Sequence, residues 1–491
     1  MSNRLGAWRK SSLVGLHIAN VSMYRGSHQI TVSAHIVVGR FANHLLPVVE
    51  NRRGTEATPE NGSHMPKFAR GRYLPLALTA IVAAVVPLAA CGGPSSQSPA
   101  AQSSAPVEMW ARAATASQSQ PLVDAYNATH DTKIQLTVVP TESYIQKVGV
   151  AAGANQLPCL MSSDVVYMPN FMSKNLFMDI TEKVDALPFK DSLVKGLMDL
   201  GTNEGKTYSV PHTIGMSALF QNDVLLEKAG IDPKAEITSL KQLQTNAAKV
   251  AALGSDITGL YYTGNAAGTI AFTHFPSIWA SGGEALSKDG TKSMLADEKS
   301  TEVFRIYNEM FKSGSTPKSV MSETGATRNQ VFGTGKVGYM LGSNSVLQSV
   351  KETPELKIDV QGIPGIEGGQ STFLGGDVLG ISSSCANQDA AWDFLSWTLT
   401  PDAQVEVYAK SNQLTVRTDL AKNKYTENDS RIVKENELAA QGRTPYSLNF
   451  GQTFNDPNGP ALSAFRDALF GEDASKALKS AEEAINSSLS Q

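Results

Sequence analysis

Apolar and polar positions follow two rhythms along most of this chain. Val107 to Trp110 is a short apolar stretch and Ile134 to Val139 is rich in β-branched residues, so both predict strands. Between them, Ser119 to Asn127 spaces its apolar residues as a helix would, with Pro121 expected in the first turn. Tyr144 to Ala154 predicts a second helix and Asp164 to Met168 a third strand. This β-α-β-α-β order predicts a parallel sheet with helices on both faces. Lys206–Pro211 and Ser217–Asn222 predict strands, Leu225–Ala229 a short helix stopped by Gly230, and Leu240–Leu253 an amphipathic helix capped by Ser239. Ile257–Thr263, Val337–Gly342 and Val378–Ile381 predict strands. Thr301–Phe311, Ala390–Leu399 and Asp402–Lys410 predict helices, the last opened by Pro401. The tail reads as largely helical, with a loop at Gly451–Asn458.

One run belongs to neither rhythm. Leu74 to Ala90 is 17 residues without a charge, preceded by Lys67, Arg70 and Arg72 and followed by Cys91. A positive flank, an apolar core and small residues before the cleavage point describe an export signal, here residues 65–90. A cysteine directly after Ala-Ala resembles the bacterial lipoprotein signal, in which that cysteine receives lipid and becomes the mature N-terminus. The competing readings are a cleaved signal without lipid and a transmembrane anchor. The anchor would need roughly 20 apolar residues, and Pro75 and Pro87 interrupt this run. Residues 1–64 have no place before an export signal. They read as a non-native or wrongly assigned leader, with translation expected from Met65. Residues 91–106 are rich in Gly, Ser, Ala and Pro and predict a flexible linker.

The 401 residues from Cys91 to Gln491 suggest two domains rather than one core. With 42 basic and 46 acidic residues and no basic stripe, nucleic acid is not expected as a partner. Besides Cys91 there are only Cys159 and Cys385. An exported chain permits a disulfide between them, and two separately buried thiols are the equal alternative. The eight histidines do not cluster with either cysteine, so no metal site is expected. No Walker-type phosphate loop, G-x-S-x-G turn or H-E-x-x-H pattern occurs, and no pair of carboxylates is marked for glycoside hydrolysis. Neither a cofactor nor an enzyme is expected.

Several segments in order carry a family resemblance. They are Tyr208-Ser209-Val210-Pro211, Ala218-Leu219-Phe220-Gln221-Asn222 with Leu226-Glu227-Lys228-Ala229-Gly230-Ile231, Phe332-Gly333-Thr334-Gly335-Lys336-Val337-Gly338-Tyr339-Met340, and Leu374-Gly375-Gly376-Asp377-Val378-Leu379-Gly380-Ile381 leading to Ala391-Trp392-Asp393-Phe394-Leu395. Residues 107–491 resemble the extracytoplasmic solute-binding proteins of bacterial ABC importers, in the carbohydrate-binding group. The resemblance implies an α/β, periplasmic-binding-protein-like fold (type II), with two lobes, each a central sheet flanked by helices, joined by a multi-crossing hinge. It implies a first lobe of 107–213 plus 342–377 and a second of 214–341 plus 378–491, with crossings near Pro211, Gly342 and Gly376. The implied protein is a lipid-anchored monomer that captures a small-molecule sugar between its lobes and passes it to membrane permease subunits. The chain departs from the pattern in three places. Cys159 to Ser163 intervene before Asp164, His212 stands where an aromatic is common, and no aromatic follows Asn344.

A sugar needs an aromatic face for its C–H groups and directional partners for its hydroxyls. The candidate aromatics are Trp110, at the end of the first strand, and Trp279, while Tyr144, after the second strand, is a candidate through its hydroxyl. The polar candidates are Arg112, Ser117, Gln118, Glu142, Asn170, His212, Thr213, Asn344, Asp377 and Arg417, with Gly376 allowing close backbone approach. A non-sugar solute is the alternative: several carboxylates in the cleft would favour a polyamine, several arginines an anion, and a peptide is also possible for such a fold. A secreted glycoside hydrolase is the remaining one.

Overall fold

The computed structural model describes residues 106–491. The leader, the expected signal, Cys91 and all but the last residue of the linker lie outside the described residues. Among the described residues, no helix is long and apolar enough to cross a membrane.

Two central sheets flanked by helices define two lobes. The first sheet runs Ile134–Val139, Val107–Arg112, Leu160–Asp164, Asp377–Ile381, Val210–Pro211 in spatial order. Its first three strands are parallel, as the β-α-β-α-β pattern requires. Asp377–Ile381 then runs antiparallel to both of its neighbours. The second sheet runs Ile358–Gln361, Gly215–Asn222, Val337–Ser343, Thr258–Tyr261. Leu374–Gly375 extends it by pairing with Met216 and Gly215.

The expected division between lobes needs correction. Ile358–Gln361 and Leu374–Gly375 belong to the second sheet, so the stretch 342–376 stays in the second lobe. Residues 378–381 pair with Leu160–Ser163 and therefore return to the first lobe. Leu122, Ala403 and Tyr408 form a small apolar cluster there, and Leu193 bridges Arg417. The chain crosses back only between the Thr418–Leu420 turn and the Ser430–Ala440 helix, which packs on Ile358–Gln361. The crossing expected at Gly342 is not one, because Val337–Ser343 runs unbroken in the second sheet.

Other differences are local. The first helix begins at Ala116, since the Thr115 carbonyl accepts from the amides of Gln118 and Ser119, which leaves Pro121 inside the helix. The third strand is Leu160–Asp164, earlier than expected, because Leu160 and Met161 register with Met109 and Trp110. The residues that seemed to intervene before Asp164 are the strand itself. The β-branched pair after it turns instead into the helix Met168–Ser173, whose first turn holds Pro169. Asp402–Tyr408 and Gly451–Asn455, expected as an ordinary helix and a loop, are both π-helical.

Cys159 and Cys385 form a disulfide that spans 226 residues of sequence. It joins the ends of Leu160–Asp164 and Asp377–Ile381 where Leu160 faces Ile381, at the opposite end of the pair from Asp164 and Asp377. It therefore fastens the returning strand to the first lobe at a distance from the crossings. Replacing both cysteines by serine should lower the free energy of unfolding by about 2–4 kcal/mol in urea titrations. An unchanged midpoint would show that the bond contributes nothing.

Candidate functional site

The parallel strands Val107–Arg112, Ile134–Val139 and Leu160–Asp164 end together, and ligand crevices of open α/β sheets lie beyond such carboxyl ends. Arg112 closes the first strand and Asp164 the third. Asp377 opens the strand that returns from the second lobe and faces Asp164 in register. Arg112 binds Asp377 through Nη2, with Nε 3.4 Å from Oδ2, while Nη1 lies 3.0 Å from Asp164 Oδ2. Thr115 and Ser162 donate to Asp377 Oδ2 at 2.7 and 2.9 Å. Asp377 is fully buried. Burial pushes its carboxyl upward, yet Arg112 and the two hydroxyls outweigh that and hold it below the usual range. Asp164 shifts the other way: burial raises it, Arg112 opposes, and Asp377 adds repulsion. Its side chain keeps 20% of its surface exposed, so it is the member of the trio that can meet a ligand.

The backbone at Asp377 fixes the hinge. Its carbonyl accepts from the amides of His212 and Thr213, and its amide donates to Thr213 Oγ1 at 2.9 Å. Gly376, at φ +109°, has no room for a side chain: a Cβ there would lie 2.2 Å from the Thr213 carbonyl oxygen. Gly376→Ala should therefore destabilise the protein by ~2 kcal/mol or more, read as a lowered unfolding midpoint.

Most of the expected ligand contacts have partners inside the protein. His212 Nε2 sits 3.0 Å from Ser119 Oγ, and the His212 carbonyl accepts from Tyr408. Tyr144 reaches the Ser162 carbonyl and Ser163 Oγ, both at 2.9 Å. Asn344 accepts from the Met216 amide and donates to the Ile214 carbonyl, stitching the second sheet to the crossing. Arg417 is held by Asp419 and the Leu399 carbonyl and covers the Phe189 ring. Lys147 lies 3.9 Å above the Trp110 ring, and Trp279 packs between Phe373 and Arg443. His212, Tyr144, Asn344, Arg417, Trp110 and Trp279 are all buried. Ser117 is exposed and Gln118 half-buried on the first turn of Ala116–Thr129, and Asn170 is half-buried on Met168–Ser173. The side chain of Glu142 lies outside the described residues.

The structure adds residues that the sequence reading did not single out. Tyr167, just beyond Asp164, accepts a hydrogen bond from Asn455 Nδ2 at 3.1 Å. Tyr167 belongs to the first lobe and Asn455 to the second, so this bond joins the lobes directly. Gly451 makes the approach possible, since a Cβ there would be 2.5 Å from the Tyr167 ring. Burial and the neighbouring Asp164 raise the Tyr167 hydroxyl above its usual range, so it stays protonated. Both π-helical turns meet this region: Tyr408 ends one at His212, and Gly451 begins the other against Tyr167. Such turns are frequent at functional sites. Among the described residues, no group of side chains could hold a metal ion.

Residues 121–434 match the model of a family described as bacterial extracellular solute-binding proteins. The chain belongs to this family, which makes it an extracytoplasmic solute-binding protein. Relatives in Brucella abortus and Brucella suis, named only provisionally as binding proteins, are 27% identical over 317 residues, covering 63% of this chain and 75% of theirs. Among solved structures, it is similar to a Thermotoga lettingae solute-binding protein bound with α-D-tagatose, at 18% identity and a TM-score of 0.67, covering 78% of this chain and 99% of that one. It is also similar to the sugar-binding protein MalE of Xanthomonas citri, at 17% identity and a TM-score of 0.69, covering 78% and 97%. The GacH receptor of Streptomyces glaucescens is 22% identical with a TM-score of 0.67, covering 78% and 98%. These likenesses establish the two-lobed type II fold.

Burial holds the His212 imidazole down at about 4, against its ordinary 6.5. The unfolded chain then binds the proton more readily. His212 therefore contributes stability above pH 6.5 that is lost as pH falls from 6.5 to about 4. His212→Gln should flatten the fall in melting temperature across that window, and an unaltered slope would contradict the assignment.

Proposed function

We propose that this protein is the sugar-capturing component of an ABC importer. It would bind a mono- or oligosaccharide between its lobes and present the closed form to membrane permease subunits. The observation that carries the reading is the direct meeting of the lobes at Tyr167 and Asn455, beside the partly exposed carboxylate of Asp164. A phenol ring, a carboxylate and uncharged amides and hydroxyls suit a ligand with C–H faces and many hydroxyls. Support comes also from similar proteins whose structures are described with tagatose, maltose, mannobiose or acarbose. Ser117, Gln118, Glu142 and Asn170 are proposed as further contacts from the first lobe. A ligand touching both lobes stabilises the closed form by its differential affinity for it. That mechanism asks for no cofactor and needs only one copy of the chain.

A polyamine is disfavoured because the carboxylates near the crossings are already engaged: Asp377 is enclosed and Asp164 is paired with Arg112. Lipid on Cys91 would keep the receptor at the outer face of the membrane, with residues 92–106 as a tether. Cys91→Ser should then release the protein into the medium.

Calorimetric titration of the purified domain against a panel of saccharides, amino acids and polyamines tests the reading. Saccharides should bind, and Asp164→Asn and Tyr167→Ala should each weaken binding at least about tenfold, or ~1.4 kcal/mol. Binding of amino acids or polyamines alone would overturn the sugar assignment.

A further inference from the structure

A buried cation without a counter-ion lies at the hinge end of the second sheet. Thr258–Tyr261 and Val337–Ser343 run parallel and end there, and Asn344, which follows, bonds to the crossing at Ile214 and Met216. Arg328 opens the short helix that precedes Val337–Ser343 and is 6% exposed. Its guanidinium makes one long contact, Nη2 to Ser343 Oγ at 3.5 Å, and Nε is buried with no partner. Among the described residues it enters no ion pair. Burying a guanidinium is strongly unfavourable unless charge and hydrogen bonds compensate it, so an unmatched one calls for an occupant.

The neighbouring acid does not supply the match. Glu323 acts on Arg328 through space, but its carboxylate is taken up by the amides of Gly325 and Thr327, the Thr327 hydroxyl and the Tyr261 phenol. A second arginine stands in the same region with no acid paired to it among the described residues. Arg466 Nη1 donates only to the carbonyls of Gly264 and Met321 and to Asn265 Oδ1. The loop between them is tied together, since the Glu323 carbonyl accepts from the amides of Gly264 and Asn265. Thr263 Oγ1 and Asn329 Oδ1, beside the same loop and helix, are also buried without partners. Ser343, which meets Arg328, lies with its hydroxyl 2.7 Å from that of Ser345, and both serines are half-buried. Two arginines without an ion-pair partner among the described residues, one engaged carboxylate and the unpartnered Thr263 hydroxyl describe a group that lacks negative charge.

We propose that Arg328 forms an anion-binding subsite of the sugar cleft, so that the transported saccharide is acidic. The subsite takes the carboxylate of a uronic acid residue or the phosphate of a sugar phosphate. Guanidinium binds both through forked, charge-assisted hydrogen bonds, and Thr263 and the serine pair are placed to meet neighbouring hydroxyls. The inference rests on the sugar reading and narrows it.

The test is calorimetric titration with matched sets: neutral mono- to tetrasaccharides, the same sugars with C6 oxidised to carboxylate, and the corresponding 6-phosphates. Succinate and citrate serve as acidic compounds that are not sugars. The acidic saccharides should bind at least about tenfold more tightly than their neutral counterparts, and whether carboxylate or phosphate is preferred identifies the source. Arg328→Gln should remove at least about tenfold of that affinity, Arg328→Lys less, and Lys479→Gln, on the far C-terminal helix, none. Thermal melts establish that each variant is folded. Should Arg328→Gln not fold, the acidic preference of the unaltered protein and its loss at high salt still decide the matter. Equal or weaker binding of the acidic members would overturn the subsite and leave the sugar reading intact. Binding of succinate or citrate that depends on Arg328, with every saccharide silent, would uphold the subsite and overturn the sugar reading. Silence towards every anion would overturn the subsite.

Discussion

The enclosed ion pair of Arg112 and Asp377 is the constraint around which the lobes are arranged. A carboxylate with no access to water must be matched by charge and by hydrogen bonds, and here both are supplied. Arg112 provides the charge, and Thr115 and Ser162 fill the remaining acceptor positions. These partners sit at the end of one strand, the start of a helix and the middle of another strand. Asp377 can satisfy them only if the chain leaves the second lobe immediately before it. The pair thus sets the sheet to which residues 377–381 belong.

From that choice the rest of the hinge follows. Gly376 makes the turn because no side chain fits beside Thr213. His212 and Thr213 lend their amides to the Asp377 carbonyl, so two crossings are bound to one residue. Arg112 also reaches Asp164, the one partly exposed carboxylate of the group. A ligand at Asp164 is therefore one side chain away from the hinge residue. The disulfide fastens the far end of the same strand pair, which confines motion between the lobes to the crossings.

Local elements were largely legible in the sequence. The Leu240–Ala251 helix begins at the Ser239 cap that its pattern announces, and the parallel opening strands follow from alternation with helices. Which lobe a strand joins was not legible. Asp377–Ile381 pairs with residues more than 200 positions earlier, and no local periodicity encodes that partner. Arg112, His212, Asn344 and Asp377 were expected as ligand contacts. Their polar groups have partners inside the protein, around the segments 211–216 and 376–377, a distinction that only burial and bonding reveal. Tyr167 and Asn455 escaped notice for a similar reason. One looked like a strand residue and the other like a loop residue, and they meet only because the lobes do. Arg328 carried no sequence signal, since an arginine lacking an acid is recognisable only once its neighbours are known.

The account is tested most directly by a double-mutant cycle between Arg112 and Asp377, read by urea unfolding. Arg112→Met and Asp377→Leu should each cost ~3–5 kcal/mol, because each leaves a buried charge unmatched. Their combination should cost at least about 2 kcal/mol less than the sum. Strictly additive losses would mean that the two side chains do not depend on each other, and the hinge would then need another explanation.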